Sequence, residues 1–252
     1  MSCFKLMDRN LLDNSVITTS TENALFPKTN LLDNRRTKVY RSISSFDNIL
    51  FDLGETQEVN HIFIVANKRS GFGISTAKIQ FNATANFTNP ASEFDIVINP
   101  KYDYVYLEIP LQKYRFANLV LTSTLPYCEV SSVYIGKSLD LKRSINFNWS
   151  IKDDELSTKQ TNRYGQVFTD LISRQKTISF SMSNLPKEDL TLLNKVFDIH
   201  GESLPVYIII GDSTIVDDNR RFSGPVLIND SPNISNPNFN KYSLSLTVKE
   251  LM

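Results

Sequence analysis

The 252-residue chain holds few side chains suited to acid–base or metal chemistry: two histidines, His61 and His200, and two cysteines, Cys3 and Cys128. A Ser-His-Asp triad needs a histidine beside an activated serine, and no Gly-x-Ser-x-Gly elbow occurs. His61 opens an apolar run. His200 ends a helical pattern, where a histidine suits the negative pole of the helix. Both read as structural. A Cys-His pair built on Cys128 competes with a plainer reading, a buried thiol just before a strand. Zinc lacks both Cys-x-x-Cys and His-Glu-x-x-His. Calcium needs only oxygens, and Asp52, Glu55, Glu58 and Asn60 gather around one turn. A solvated turn is the default reading there. Asp153-Asp154-Glu155 and Asp217-Asp218 are what a two-carboxylate hydrolase would need, but turns demand the same residues. Lys68-Arg69-Ser70-Gly71-Phe72-Gly73 lacks the Gly-Lys-Ser/Thr ending of a phosphate loop and reads as a turn. No catalytic, cofactor-binding or metal-ligating residue is therefore assigned, no cofactor is expected, and the chain is read as non-enzymatic.

Binding chemistry is better represented. Tyr102, Tyr104 and Tyr106 alternate along one strand pattern. They would either stack on sugar rings, with an apolar face and a polar rim, or form a packing ladder. Packing is the expectation. Lys28 to Arg41 carries Arg35, Arg36, Lys38 and Arg41, the nearest thing to a basic stripe. Across the chain 27 Lys and Arg balance 27 Asp and Glu. That balance argues against strong nucleic-acid binding, which calls for a basic footprint. The opening residues lack the apolar run of a signal peptide, and no window approaches the ~20 apolar residues of a membrane span. With only two cysteines, reduced thiols and a cytoplasmic site of folding are expected.

The elements that must position these residues are mostly strands. Residues 1–29 read as an irregular lead-in. The string Asn-Leu-Leu-Asp-Asn occurs at Asn10 and again at Asn30, marking two similar turns that tuck Leu pairs onto a core. Residues 30–139 form a strand-rich unit. Ile49–Leu53 and Lys78–Asn82 are strands, and His61–Ala66 is apolar on both faces, as a strand covered on both sides is. Tyr102–Ile109, Phe116–Thr122 and Val130–Ile135 complete the set. Short strands at this spacing favour a β-sandwich.

Residues 140–252 change rhythm. Ile145, Phe147, Trp149 and Ile151 alternate with polar residues. So do Ile178, Phe180 and Met182, and Tyr242, Leu244, Leu246 and Val248. This describes an antiparallel sheet with one apolar face and one Ser/Thr/Asn face. A helix is predicted at about 186–200, opened by Pro186, with Glu188 and Asp189 in its first turn and Gly201 as its stop. Leu190, Leu193 and Phe197 form its apolar stripe, with Val196 beside them. Val206–Ile210 and Phe222–Ile228 are further strands. Residues 154–166 and 229–240 read as polar loops, long enough to serve as contacts.

The first unit resembles discoidin-like (galactose-binding-like) jelly-roll sandwiches over roughly residues 10–140. The resemblance is carried by Asn30-Leu31-Leu32-Asp33, Tyr40-Arg41-Ser42, Phe51-Asp52-Leu53-Gly54, His61 to Asn67 and Val133-Tyr134-Ile135-Gly136. Many such domains have Trp where Tyr40 stands. The pattern singles out no ligand-contacting residue. The second unit is similar in outline to the tail-tube-like β-barrel or sandwich domains of phage tail and baseplate proteins. That outline rests on Trp149, Tyr164-Gly165, Thr177–Met182, the helix, Val206–Ile210 with Asp212, and Val248-Lys249-Glu250. Together the resemblances imply a virion structural protein of a tailed bacteriophage, of the distal-tail or baseplate type. It would form a hexameric ring through its second unit, contact neighbouring tail proteins, and be assembled in the bacterial host cytoplasm. The alternative is a carbohydrate-binding module that attaches to host surface glycans.

Overall fold

The computed structural model describes residues 3–67, 70–161, 163–211 and 223–251. The chain is mainly β, and every strand pairing described is antiparallel. It opens with β1 (Cys3–Leu6), a 310 turn over Leu11–Asn14, β2 (Val16–Thr19), a second 310 turn over Lys28–Leu32, and β3 (Tyr40–Arg41). Next come β4 (Phe46–Val65), β5 (Thr76–Asn82), β6 (Ser92–Ile96), β7 (Tyr104–Thr122), β8 (Glu129–Val130) and β9 (Ser132–Gly136). The remainder is β10 (Ser150–Thr161), β11 (Val167–Leu185), α1 (Lys187–His200), β12 (Val206–Gly211), β13 (Gly224–Ile228), β14 (Asn233–Asn238) and β15 (Lys241–Glu250).

The β-sandwich expected in the first half is built largely by two long strands that bend. β4 and β7 pair from Phe46↔Thr122 to Val65↔Tyr104, with a register break between Asp52 and Gln57. Gly54 sits in that break at φ +81°, a conformation only glycine adopts freely. One arm carries β2, β5 and β6, and the other pairs with β9. Ile49, Phe51, Ile79, Phe81, Leu119 and Leu121 from the first arm meet Ile62, Ile64, Val133 and Ile135 from the second in one buried cluster. The repeated pentapeptide behaves as expected. Each copy makes a 310 turn, and Leu12 and Leu31 are fully buried in this core.

The second lobe is a curled seven-stranded sheet in the order β1-β12-β13-β15-β11-β10, with β14 also on β15. Ile178, Phe180, Met182, Leu244, Leu246 and Val248 point to one side, beneath Leu193 and Val196 of α1. The helix lies where the sequence predicts it, from Lys187 to His200, with Pro186 at its N-cap and Gly201 at its C-cap.

Several sequence expectations are corrected. Residues 1–29, read as irregular, supply two strands, and β1 belongs to the second sheet through Cys3↔Gly211 to Leu6↔Ile208. Residues 154–166, read as a polar loop, are mostly a β-hairpin of β10 and β11 that turns near Gly165. Within 229–240, β14 pairs with β15 although all six of its residues are exposed. The alternation from Ile145 to Ile151 is not one strand, because Phe147 stands 86 % exposed in a turn and β10 starts only at Ser150.

The lobes are packed on each other. Phe63 and Val65 on β4, Tyr134 on β9 and Tyr104 on β7 meet Met7, Tyr207 and Ile209 from the other lobe. Ring centroids lie 4.6 Å apart for Tyr134–Tyr207 and 5.1 Å for Phe63–Tyr207. This explains why His61–Ala66 is apolar on both faces: Ile62 and Ile64 face the sandwich core, and Phe63 and Val65 face the second lobe. Arg36, 2 % exposed, reaches Asp103 at 3.1 Å and Glu250 of the second lobe at 3.7 Å. Among the described residues no helix is long and apolar enough to cross a membrane.

Candidate functional site

The sandwich's outer face carries a concave surface. On β4, β5 and β7 the odd-numbered residues near the groove point to the core, so period-2 geometry turns the even-numbered ones outward. Asn48 and Leu50 on β4, Lys78 and Gln80 on β5, and Asn118 and Val120 on β7 thus share one face and line a groove of about 710 Å³. Phe46 marks the end where Thr122 pairs with both Phe46 and Thr76. The loop between β5 and β6 supplies Ala85, Phe87 and Thr88 as a wall. Asparagine chemistry holds that loop: Asn82 Nδ2 donates to the Asn86 carbonyl at 2.6 Å, and Thr88 N–H donates to Asn86 Oδ1 at 2.9 Å. Ala91 N–H closes it onto the Phe81 carbonyl. The wall is thereby formed without a ligand.

The polar residues of the floor are tied together through the adjoining Glu93. Asn118 Nδ2 donates to Gln80 Oε1 at 2.9 Å, and Gln80 Nε2 donates to Glu93 Oε2 at 2.6 Å. Lys78 Nζ donates to Glu93 Oε1 at 2.6 Å and lies 3.7 Å from Asp95. The hydrogen bond from Lys78, then that from Gln80, holds the Glu93 carboxyl below the usual range. The Glu93 hydrogen bond raises Lys78 in turn. Both stay charged at neutral pH. Each link fixes the rotamer of the next, so amide and carboxylate groups are presented in set directions.

The residues singled out for catalysis do not converge. His61 is buried at the lobe junction, its Nδ1 2.7 Å from Asn60 Oδ1. His200 is 8 % exposed, and burial depresses its pKa against the pull of the Pro205 carbonyl and of Asp13 and Asp8. It lines a separate cavity of about 290 Å³ between the lobes, with Asp13 and Tyr207. Cys128 is a free, buried thiol that donates to the Ser45 carbonyl, and burial pushes its pKa up to about 11. The side chain of Cys3 lies outside the described residues.

The calcium candidates are spent on cations and amides. Asp52 takes Arg115 at 2.7 and 2.8 Å, and Glu58 binds Lys113 and Lys137, which hold its carboxyl down at about 2. Glu55 accepts from Gln57, and Asn60 caps Ser138. Among the described residues no three His, Cys, Asp or Glu gather to hold a metal. Asp154 pairs with Lys152 and accepts from Thr177, while Asp153 and Glu155 sit across from Lys176 and Arg174 in the hairpin register. Asp217 and Asp218 lie outside the described residues, as do Lys68, Arg69 and Asp212. Ser70 donates to Glu129, as part of a turn.

Two of the three tyrosines pack as expected, while Tyr102 lies in a bend before β7 and is not on the strand. Tyr104 is buried and accepts from the Ser223 N–H, and Tyr106 stacks on Phe63. The three arginines of the basic stretch are engaged within the chain, and Lys38 is exposed. Arg35 pairs with Asp33, Arg36 is buried, and Arg41 pairs with Glu129 between the rings of Phe26 and Tyr127. Sequence reasoning missed the groove altogether. Its available signal was Asn48, Lys78, Gln80 and Asn118 at even positions of three strands whose odd positions are apolar.

No family model and no curated protein matches the chain. Solved structures with a similar course include the lectin domain of lectinolysin complexed with Lewis b antigen, at 11 % identity over 53 % of this chain and 99 % of that one, TM-score 0.46. A fucose-binding module of Streptococcus pneumoniae matches at 14 % identity over 51 % and 95 %, TM-score 0.45. A GH29 fucosidase of Ruminococcus gnavus in complex with fucose matches at 15 % identity over 52 % of this chain, TM-score 0.46. The chain spans only about a quarter of that enzyme, 27 % of its length. Likeness at this level says nothing about what this chain binds.

Proposed function

We propose that the chain is a non-catalytic carbohydrate-binding protein and that the sandwich groove is its binding face. The observation that supports this is the groove's composition: Asn118, Gln80 and Lys78 line it and are held by hydrogen bonds to one another and to the adjoining Glu93, with Phe46 and Phe87 lining the same space. Sugars have hydroxyls that donate and accept, and C–H faces that lie on aromatic rings. Fixed amides and carboxylates beside phenyl rings match both features. Small-molecule sites of the enclosed, largely apolar kind are built differently.

The test is calorimetry of the full chain against a panel of oligosaccharides, led by a glycan array. Saturable binding is expected. Phe87→Ala and Gln80→Ala are each expected to weaken it about tenfold, the ~1.4 kcal/mol scale of one ring contact or one hydrogen bond. No saturable binding, or variants that bind as the parent does, overturns the reading.

A second reading rests on the second lobe. β11 pairs with β15 only from Thr177 to Leu185, so β10 and the first half of β11 run on as a two-stranded ribbon. Such ribbons are marginal alone in water, and open edges recruit partners. A homo-oligomeric ring in a phage tail is the concrete form of this reading. Light scattering and electron microscopy of the purified chain test it, and a strict monomer at high concentration overturns it.

A further inference from the structure

The charge pattern of the groove narrows the class of glycan, on the premise that the groove binds glycans at all. Among the described residues the ionisable ones that line it are Lys78 and Asp95, and Lys78 is bound to Glu93 beside them. The single ammonium is shared between two carboxylates, at 2.6 Å from Glu93 and 3.7 Å from Asp95. The cluster therefore carries one more negative than positive charge. Glu93 is engaged further by Gln80. The Asp95 side chain is 83 % exposed, and the long contact to Lys78 is its one ion pair among the described residues. The next ion pair on this face, Asp52 with Arg115, is bidentate and self-neutralising.

From this geometry we infer that the groove prefers glycans bearing free, protonated amino groups over their N-acylated counterparts, and disfavours glycans bearing carboxylate or sulfate. An ammonium on the sugar gains the open carboxylate of Asp95 without displacing any existing bond. A sugar carboxylate meets a net negative cluster whose only cation is already spent on two partners. An N-acyl group takes part in neither effect.

The effect is that of one exposed charge pair, which gives about three- to fivefold in affinity at low ionic strength. It fades as added salt shortens the screening length. The experiment is calorimetry of the full chain with three oligosaccharides of equal length: a glucosamine oligomer, its N-acetylated form, and a uronic-acid polymer fragment. Each is measured at low salt and at about 0.5 M salt. The expected order is amine, then N-acetyl, then acid, with the amine-to-acetyl ratio falling to about one at high salt. Asp95→Asn is expected to bring that ratio to about one at low salt. Lys78→Gln, which frees both carboxylates, is expected to widen it to about tenfold. An N-acetylated oligomer that binds as tightly as the amine, or an acidic fragment that binds best, overturns this inference and leaves glycan binding standing. No binding of any oligomer overturns both.

Discussion

Acidification between about pH 6.5 and 4.5 should destabilise this protein through one buried ring. His61 is fully buried where β4 passes under the second lobe. Its Nδ1 lies 2.7 Å from Asn60 Oδ1, so the neutral ring donates from Nδ1 and leaves Nε2 as a bare acceptor. Among the described residues Nε2 has no hydrogen-bond partner, and it sits 3.8 Å from Glu108 Oε2. Burial dominates and lowers the pKa from 6.5 to about 4, against the pull of Glu108 and with the help of Lys5. The unfolded chain therefore takes up this proton first as pH falls. Stability is full above about 6.5 and is lost progressively as pH drops towards 4. The loss from His61 alone reaches roughly 2.5 kcal/mol by pH 4.5. Carboxylates held low, such as Glu58 at about 2, lose their contribution only below their ordinary value of 4.5, so they leave this window clear. His200, also depressed by burial, adds a loss of the same sign. Urea unfolding at about pH 7, 5.5 and 4.5, on the parent and on His61→Gln, separates the two. The variant should lose markedly less stability over this range. An unchanged slope in His61→Gln would refute the reasoning.

Three further outcomes follow from packing. Phe63→Ala removes a fully buried ring that touches Tyr106, Tyr134 and Tyr207, and should cost about 3–5 kcal/mol by chemical denaturation; a cost below about 1 kcal/mol would mean the lobe junction is not tightly packed. Gly224→Ala places a methyl group 2.9 Å from the Tyr104 ring at φ +128°, and should lower stability by at least about 2 kcal/mol, measured the same way. The Cys128 thiol, buried and shifted up to about 11, should resist iodoacetamide in the folded protein and react on unfolding; rapid labelling in native buffer would contradict its burial.

What the sequence revealed divides along a physical line. Strands with one apolar face were legible, because Ile178, Phe180 and Met182, or Leu244, Leu246 and Val248, announce a period of two. So was the extent of the helix, from its acidic first turn and glycine stop, but its buried face is Asp189, Leu193, Val196 and His200, not the stripe of Leu190, Leu193 and Phe197 that the apolar spacing predicts. Strands polar on both faces were not: β10 and β14 lack the alternation that marks burial, and they are held by backbone pairing with β11 and β15. The false alternation from Ile145 to Ile151 has the opposite cause. Asn146 bonds sideways to Ser181 and Ser183, and the chain turns at Phe147 before β10 begins. The groove was hidden because its floor is assembled across β5, β6 and β7, residues distant in the sequence that meet only through register. Phe87 reaches it from a loop that no periodicity describes.

The pairing of β1 carries the deepest consequence for how the lobes relate. Leu6 and Phe4 lie in the second core, beside β12, about two hundred residues further along the chain. The sandwich segment leaves and rejoins this lobe at a single place: Met7 bridges Ser138, and Asp8 N–H donates to the Lys137 carbonyl. In topology the sandwich is an insertion into the second lobe, between its first strand and the rest. The second sheet cannot close its β12 edge until β1 arrives, and that arrival brings Met7 onto Tyr207 and Lys5 onto Glu108 at the same time. Closing so long a loop is entropically costly on its own. It is less costly once the sandwich has folded, because Asn10, just past the first crossing point, is then hydrogen-bonded to Val133 and Ile135 of β9, just before the second. The order that fits this geometry is sandwich first and second sheet after. The aromatic junction of Phe63, Tyr134 and Tyr207 should then couple the lobes into one urea transition seen alike by fluorescence and circular dichroism, and two separated transitions would refute that coupling.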